Sequence, residues 1–189
     1  MIRTEALRAA RTGIGTGTRT LIIGVLGCAV LTALGAQVRI PLPGTPVPLT
    51  LQTFFVPLAG AALGPGLGAL SQALYLCAGL LGFPVLAGGL SGPSVLFGAT
   101  AGYLLGFPVA AWATGALLRR PRPGLGQAVL AVVAGMALIY VCGAGWLVFG
   151  LHLSATQAIQ AGMLPFLPGD ALKAIAAAGL IRVSRRDGA

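Results

Sequence analysis

The chain has 189 residues, of which 57% are hydrophobic and 8% charged, and its formal net charge is +9. A soluble globular domain carries about 25% charged residues, so a mean hydropathy of +0.94 with so few charges excludes one and indicates an integral membrane protein. The excess of positive charge does not indicate nucleic acid. The arginines cluster beside apolar runs, as membrane topology requires, and no basic patch alternates with aromatic residues.

Arg3, Arg8, Arg11 and Arg19 precede the first apolar run, so residues 1–19 are expected to form a cytoplasmic leader. Within it, TGIGTGT (Thr12–Thr18) follows no strand and reads as flexible chain, not as a nucleotide-binding turn. The run Leu21–Val38 is longer than a signal-peptide core and predicts a retained helix over Thr20–Val38. The next segment, RIPLPGTPVPLT, holds Pro41, Pro43, Pro46 and Pro48. That proline density forbids a regular helix, and the segment is expected outside the cell.

From Ile40 to Leu118 no residue is charged. The following cluster, Arg119–Arg122, is expected inside, so an odd number of crossings separates it from the proline-rich loop. One helix would leave most of the charge-free segment with nowhere apolar to go, and three are predicted. The breakers LGPGLG (Leu63–Gly68) and FPVLAGGLSGP (Phe83–Pro93) divide them into Leu51–Leu63, Gly66–Leu81 and Val95–Leu118. The first is short and contains Pro57, which suits a tilted, kinked or protein-shielded segment. Gly60/Gly64/Gly68, Gly98/Gly102/Gly106 and Ala29/Ala33 repeat small residues one turn apart. Such spacing lets helix backbones approach closely, inside one subunit or against another protein.

A fifth helix is predicted over Gln127–Phe149, a short surface helix over Ser154–Gly162, and a sixth spanning helix over Pro165–Val183. The expected fold is therefore an all-α membrane protein of six transmembrane helices. A single domain covers 20–183, a cytoplasmic tail covers 184–189, and both termini are inside. Ten of the twelve basic residues then lie inside; Arg39 and Lys173 are the exceptions.

Asp170 and Lys173 are the only charges between Leu164 and Ile181. At spacing i, i+3 they share a helix face, about 13 Å above Arg182 at 1.5 Å per residue, which is the outer half of the membrane. Charges at that depth cost a few kcal/mol each unless paired or facing a cavity. Two readings are open: an ion pair that suits a helix N-terminus, or a site for a ligand carrying both hydrogen-bond acceptors and N–H donors. Lys173 is the only lysine, so no GxxxxGK[ST] phosphate loop exists. Nor is there a Ser–His–Asp set or an HExxH motif, and His152 stands alone in an expected outer loop. Cys28, Cys77 and Cys142 are isolated, without metal-ligand spacing. The chain is thus not read as an enzyme and carries no predicted metal site. Transport by it would need energy from a partner or an ion gradient.

Four blocks resemble one family: LTALGAQVRIPLPGTPVPLTLQT (Leu31–Thr53), GFPVLAGG (Gly82–Gly89), GYLLGFPVAAW (Gly102–Trp112) and LPFLPGDALKA (Leu164–Ala174). In order and spacing they resemble the BioY family, the biotin-binding S components of energy-coupling factor transporters. The likeness runs from about Leu21 to Ile181. It implies six transmembrane helices in a prokaryotic cell membrane and capture of biotin from outside. It also implies docking on one transmembrane scaffold protein and two cytoplasmic ATPases. No cofactor is implied: biotin is the cargo, and ATP is used by the partners. The resemblance places Asp170 and Lys173 at ligand-binding positions, with Tyr103 and the Gly88–Gly89 loop around the pocket; Gln52 and Thr53 join them or else cap the start of a helix or hydrogen-bond between helices. It places Ala29 and Ala33 on the scaffold-docking face. Biotin's ureido ring offers two N–H groups and a carbonyl, and its tail ends in a carboxylate. Asp170 can accept from the ring, and Lys173 can meet either the carbonyl or the carboxylate. The proline-rich loop would be a lid. The alternatives are a stand-alone or ion-coupled vitamin transporter, with Asp170 as proton carrier, and an assembly subunit without a ligand.

Overall fold

The computed structural model describes residues 16–118 and 123–187. The leader arginines at 3, 8 and 11, the Arg119–Arg122 cluster and the side chains of Arg185 and Arg186 lie outside the described residues, so their expected placement rests on the sequence alone.

Helix α1 (Thr16–Gln37) leads into a small antiparallel hairpin, β1 (Arg39–Ile40) and β2 (Leu49–Thr50), which pairs Arg39 with Thr50 and Ile40 with Leu49. Helix α2 (Gln52–Leu80) follows, then two 3₁₀ turns at Ala87–Gly89 and Pro93–Phe97. Helices α3 (Ala101–Leu117) and α4 (Leu125–Phe149) come next, then the short α5 (Ala155–Gly162). A 3₁₀ turn at Leu164–Phe166 feeds α6 (Leu167–Asp187). Among the described residues four helical stretches are long and apolar enough to cross a membrane: Gly17–Gln37, Gln52–Leu80, Leu125–Phe149 and Ala155–Ser184. Helix α3 is apolar but shorter.

Helix α2 is not one rod. Gly64 has φ +79° and ψ 177°, a conformation open to glycine and closed to residues with a Cβ, and Pro65 follows it. In a straight helix Gly60 and Gly68 would be about 12 Å apart. Here a Cβ placed on Gly68 would come within 2.7 Å of the Gly60 Cα. The chain therefore folds back at Gly64, where LGPGLG was expected to divide two helices. The same turn packs on α3: a Cβ on Gly115 would meet the Gly60 carbonyl and the Pro65 nitrogen at 2.7 and 2.6 Å. Gly106 likewise abuts Cys142 and Ile139 of α4. These glycines serve packing within the chain.

Three boundaries differ from expectation: α1 begins at Thr16, so Thr16–Thr18 of the stretch read as flexible leader are helical, and α6 runs on to Asp187, into the expected tail. The third is that of α3, which begins at Ala101, not near Val95. Pro93 opens a 3₁₀ turn after Gly92 at φ +86°, and Gly98 is extended (φ −84°, ψ 171°), which ends that turn before the helix can start.

The usual distribution of polarity is inverted. Thr32, Gln52, Ser71, Gln72, Thr114 and Asp170 are buried, while Ile23, Val141, Leu172 and Ile175 are each more than 60% exposed. Water would penalise that surface and lipid would not. Inside, the core divides into two clusters. One, rich in large residues, includes Val56, Tyr75, Leu86, Phe107, Ile139, Tyr140 and Phe166. The other is built mainly of small ones, including Ala128, Ala131, Ala174, Ala177 and Ala178.

Candidate functional site

The large-residue cluster does not fill its space. It surrounds a cavity of about 360 Å³, walled by the hairpin, the start of α2, the Leu86–Val95 loop, α3, α4 and the start of α6. Its wall is mostly apolar, with Leu86, Val95, Leu104, Phe107, Ile139 and Phe166.

At one end stands the charged pair. Asp170 lies in the first turn of α6, where a helix favours negative charge. Lys173 Nζ donates to Asp170 Oδ1 at 2.7 Å, with the two side chains 11% and 6% exposed. The Thr53 hydroxyl donates to the same carboxylate oxygen at 2.9 Å, and the Tyr140 hydroxyl donates to Oδ2 at 2.6 Å. Lys173 also donates to the Thr50 carbonyl at 2.6 Å and to Thr53 Oγ1 at 3.1 Å. Four elements (the hairpin, α2, α4 and α6) thus converge on one buried ion pair. An ionised carboxylate has about four acceptor sites. Oδ1 accepts two bonds and Oδ2 one, which leaves Oδ2 able to accept another from the cavity.

Arg39, paired across the hairpin with Thr50, also lines the cavity, an exposed cation with no acceptor among the described residues. Its guanidinium lies across Gly88, so close that a Cβ there would collide with Nη1. Gly88 and Gly89 both have positive φ, +74° and +73°. They do not line the cavity; the neighbouring Leu86 and Ala87 do. Gly88 instead makes room for Arg39.

The other expected positions are also resolved. Tyr103 lines the cavity, and its hydroxyl donates to the Gly162 carbonyl at 2.7 Å, tying α3 to α5. Gln52 lines it as well, but its amide is engaged in the frame. Nε2 donates to the Tyr75 hydroxyl at 2.6 Å, and Oε1 accepts from the Thr50 hydroxyl at 2.9 Å. Ala29 and Ala33 are half-buried and pack against the large-residue core of their own chain. The open side of α1 is formed by Ile23, Leu26, Val30 and Leu34. His152 is exposed, with φ +57°, in the turn before α5. Among the described residues no group of three or more His, Cys, Asp or Glu could hold a metal ion, and the three cysteines are free.

Sequence reasoning did not single out Tyr140, and it treated Arg39 only as an exception to the charge count. Each left a signal. A basic residue on the side that topology disfavours needs a reason to be there. A tyrosine deep in an apolar helix needs a partner for its hydroxyl.

The BioY family matches residues 6–188 of this chain. A probable biotin transporter BioY from Pyrococcus horikoshii is 40% identical over 147 residues, 78% of this chain and 85% of that protein. The biotin transporter BioY of Rhizobium etli is 36% identical over 173 residues, 87% of this chain and 92% of that protein. Among solved structures, the S-component for biotin from an ECF-type ABC transporter superposes with a TM-score of 0.82 at 25% identity, covering 94% of this chain and 96% of that one.

Proposed function

Since the chain belongs to the BioY family, we propose that it is the substrate-binding membrane subunit that captures biotin from outside the cell and delivers it inward with an energy-coupling factor ATPase module. The observation that carries this reading is the cavity: small and mostly apolar, lined by a carboxylate with acceptor capacity to spare and by Arg39, a cation with no acceptor among the described residues. Its 360 Å³ lies at the lower end of small-molecule sites. The vacant acceptor site on Asp170 Oδ2 suits a ureido N–H, and Arg39 suits the tail carboxylate. The bicyclic ring then lies against Phe107, Ile139 and Phe166, with the tail directed at the Arg39 guanidinium. Lys173 keeps Asp170 compensated, Tyr103 and Gln52 shape the walls, and Gly88 and Gly89 support the loop that carries Leu86 and Ala87. Biotin is cargo in this reading, with no cofactor.

The fold-back at Gly64 supports counting Gln52–Leu80 as two segments. With α1, α3, α4 and α6 that makes six crossings. The arginine clusters then put both termini in the cytoplasm of a prokaryotic cell. Cysteines introduced at Thr45 and Ser154 are expected to react with an impermeant thiol reagent added outside, and one at Gly124 is not. A reactive Gly124 position would refute the orientation.

The sequence has no phosphate loop, and membership of the BioY family supports one transmembrane scaffold and two ATPases as the source of energy. Ala29 and Ala33, with the exposed Leu26 and Val30 beside them, form the docking face on α1 for a scaffold helix. The test is biotin binding by the purified, detergent-solubilised chain, followed by uptake into vesicles with and without the ATPases. No binding would sink the reading. Uptake that persists without ATPases but collapses with the proton gradient would replace it with an ion-coupled transporter.

A further inference from the structure

We propose that the cavity also captures biotin amides, in which the tail carboxyl is joined to an amine such as the ε-amine of lysine, with the added group left in water at the mouth. The inference rests on the reading of the cavity as the biotin site and names a further class of ligand for it.

The residues that line the cavity are graded in exposure. Asp170, Tyr140, Phe107, Ile139 and Phe166 are buried. Arg39, Pro46, Leu90 and Ser94 line the same space and are exposed. The cavity therefore has a closed end, which holds the Asp170–Lys173 pair, and a mouth between the hairpin and the Leu86–Val95 loop. Glycines on both rims stand clear of the rest of the chain. A Cβ on Gly44 of the hairpin, or on Gly89 or Gly92 of the loop, would meet nothing within 4 Å beyond its immediate chain neighbours. No element of the described chain packs over these turns.

A ligand held by its ring at the closed end presents its tail to this mouth, and the mouth is weakly selective. Arg39 is the one charged side chain among the exposed lining residues. It stands in high dielectric, where losing an ion pair lowers affinity by about fivefold at most. An amide lacks the charge but keeps a carbonyl that the guanidinium can reach as a donor. At about 360 Å³ the cavity lies at the lower end of small-molecule sites, so a lysyl group does not fit inside along with biotin. It leaves through the mouth and stays hydrated. The ring end behaves in the opposite way. A group added to a ureido nitrogen would be driven against buried Asp170 and Tyr140, where a lost hydrogen bond leaves a charge unpaired. Tolerance at the tail and intolerance at the ring are two consequences of one graded cavity.

The test is competition against labelled biotin on the purified full chain in detergent, with three unlabelled ligands: biotin, ε-biotinyl-lysine, and biotin methylated on both ureido nitrogens. Biotinyl-lysine is expected to bind within about tenfold of biotin. The methylated compound should be weaker by about thirtyfold or more. Ser94→Trp puts a bulky ring on the exposed rim and should weaken biotinyl-lysine about fivefold more than biotin. If biotin binds while biotinyl-lysine is more than about a hundredfold weaker, the inference is overturned, because the carboxyl then lies inside the cavity. Equal competition by all three ligands overturns it too, since the ring is then not held at the closed end. Equal effects of Ser94→Trp on both ligands overturn the exit at this rim. Failure of labelled biotin to bind the wild type is a separate result: it refutes the biotin reading itself, before any amide is added.

Discussion

Helices α4 and α6 each run from the cavity wall into the small-residue cluster, and the two halves are built differently. Near the cavity they present Ile139, Tyr140, Asp170 and Lys173. Away from it they present Ala128, Ala131, Ala174, Ala177 and Ala178, all at most 4% exposed. Small side chains let the backbones close up until no room remains. Large ones, with a buried charged pair among them, hold the helices apart. The cavity therefore ends where the alanines begin, a single residue beyond Lys173. Affinity should reside in one half of these helices and closure in the other.

The largest effect is expected at the charged pair. Asp170→Asn keeps the shape but removes the charge that compensates Lys173, and it places an amide where Tyr140 and Thr53 both donate. Losing one member of a buried, hydrogen-bonded charge pair costs about 2–5 kcal/mol in binding, much of it from the partner left unpaired. Radioligand binding on the folded variant should show biotin affinity reduced by at least about thirtyfold, at the low end of that range. Near-wild-type affinity would make Asp170–Lys173 a purely structural pair and remove the functional distinction between the halves.

In the alanine half the expectation reverses. Ala177 is fully buried, and Ala177→Leu inserts methylenes into a close-packed contact, which costs about 1–3 kcal/mol of stability. The thermal midpoint in detergent should fall, while biotin affinity, measured well below that midpoint, should stay within about twofold because the cavity wall is untouched. If affinity falls as far as in Asp170→Asn, the two clusters are one cooperative unit and the contrast is lost.

The same contrast governs what could be read in advance. Charge-free runs between breakers located the helices because lipid forbids any other arrangement. Gly64 was legible as a break from LGPGLG, since only glycine and proline punctuate such a run. The start of α3 was not, because Pro93–Phe97 is apolar and locally helix-like, and nothing in it announces that Gly98 will be extended. Asp170 and Lys173 stood out as charges among apolar residues. Tyr140 did not: an aromatic in an apolar helix is unremarkable until the chain folds, and its acid lies 30 residues away. The spacing of Ala29 and Ala33 marked a close approach but could not say on which side. The structure places part of that contact inside the chain.

The smallest effect is expected at the mouth, and it tests the direction in which biotin lies. Arg39 is exposed, and its guanidinium rests on Gly88 with no acceptor among the described residues. A cation in such a position acts in high dielectric, where an ion pair is worth about 0–1 kcal/mol and weakens with salt. Arg39→Ala should therefore reduce biotin affinity only about two- to fivefold at low ionic strength, chiefly through slower association, and the difference should shrink as salt is raised. Losing the guanidinium could also disturb the Gly88 loop, so affinity alone does not assign the effect. A biotin derivative with an uncharged tail amide separates the two causes. If Arg39 meets the carboxylate, the wild type should prefer biotin to the amide, and Arg39→Ala should bind both equally, so the charge on the tail and the charge on the protein give one non-additive effect. If the variant still prefers biotin by the wild-type ratio, the carboxylate lies elsewhere. The reversed pose, with the tail at the Asp170–Lys173 end and the ring at the mouth, would then stand.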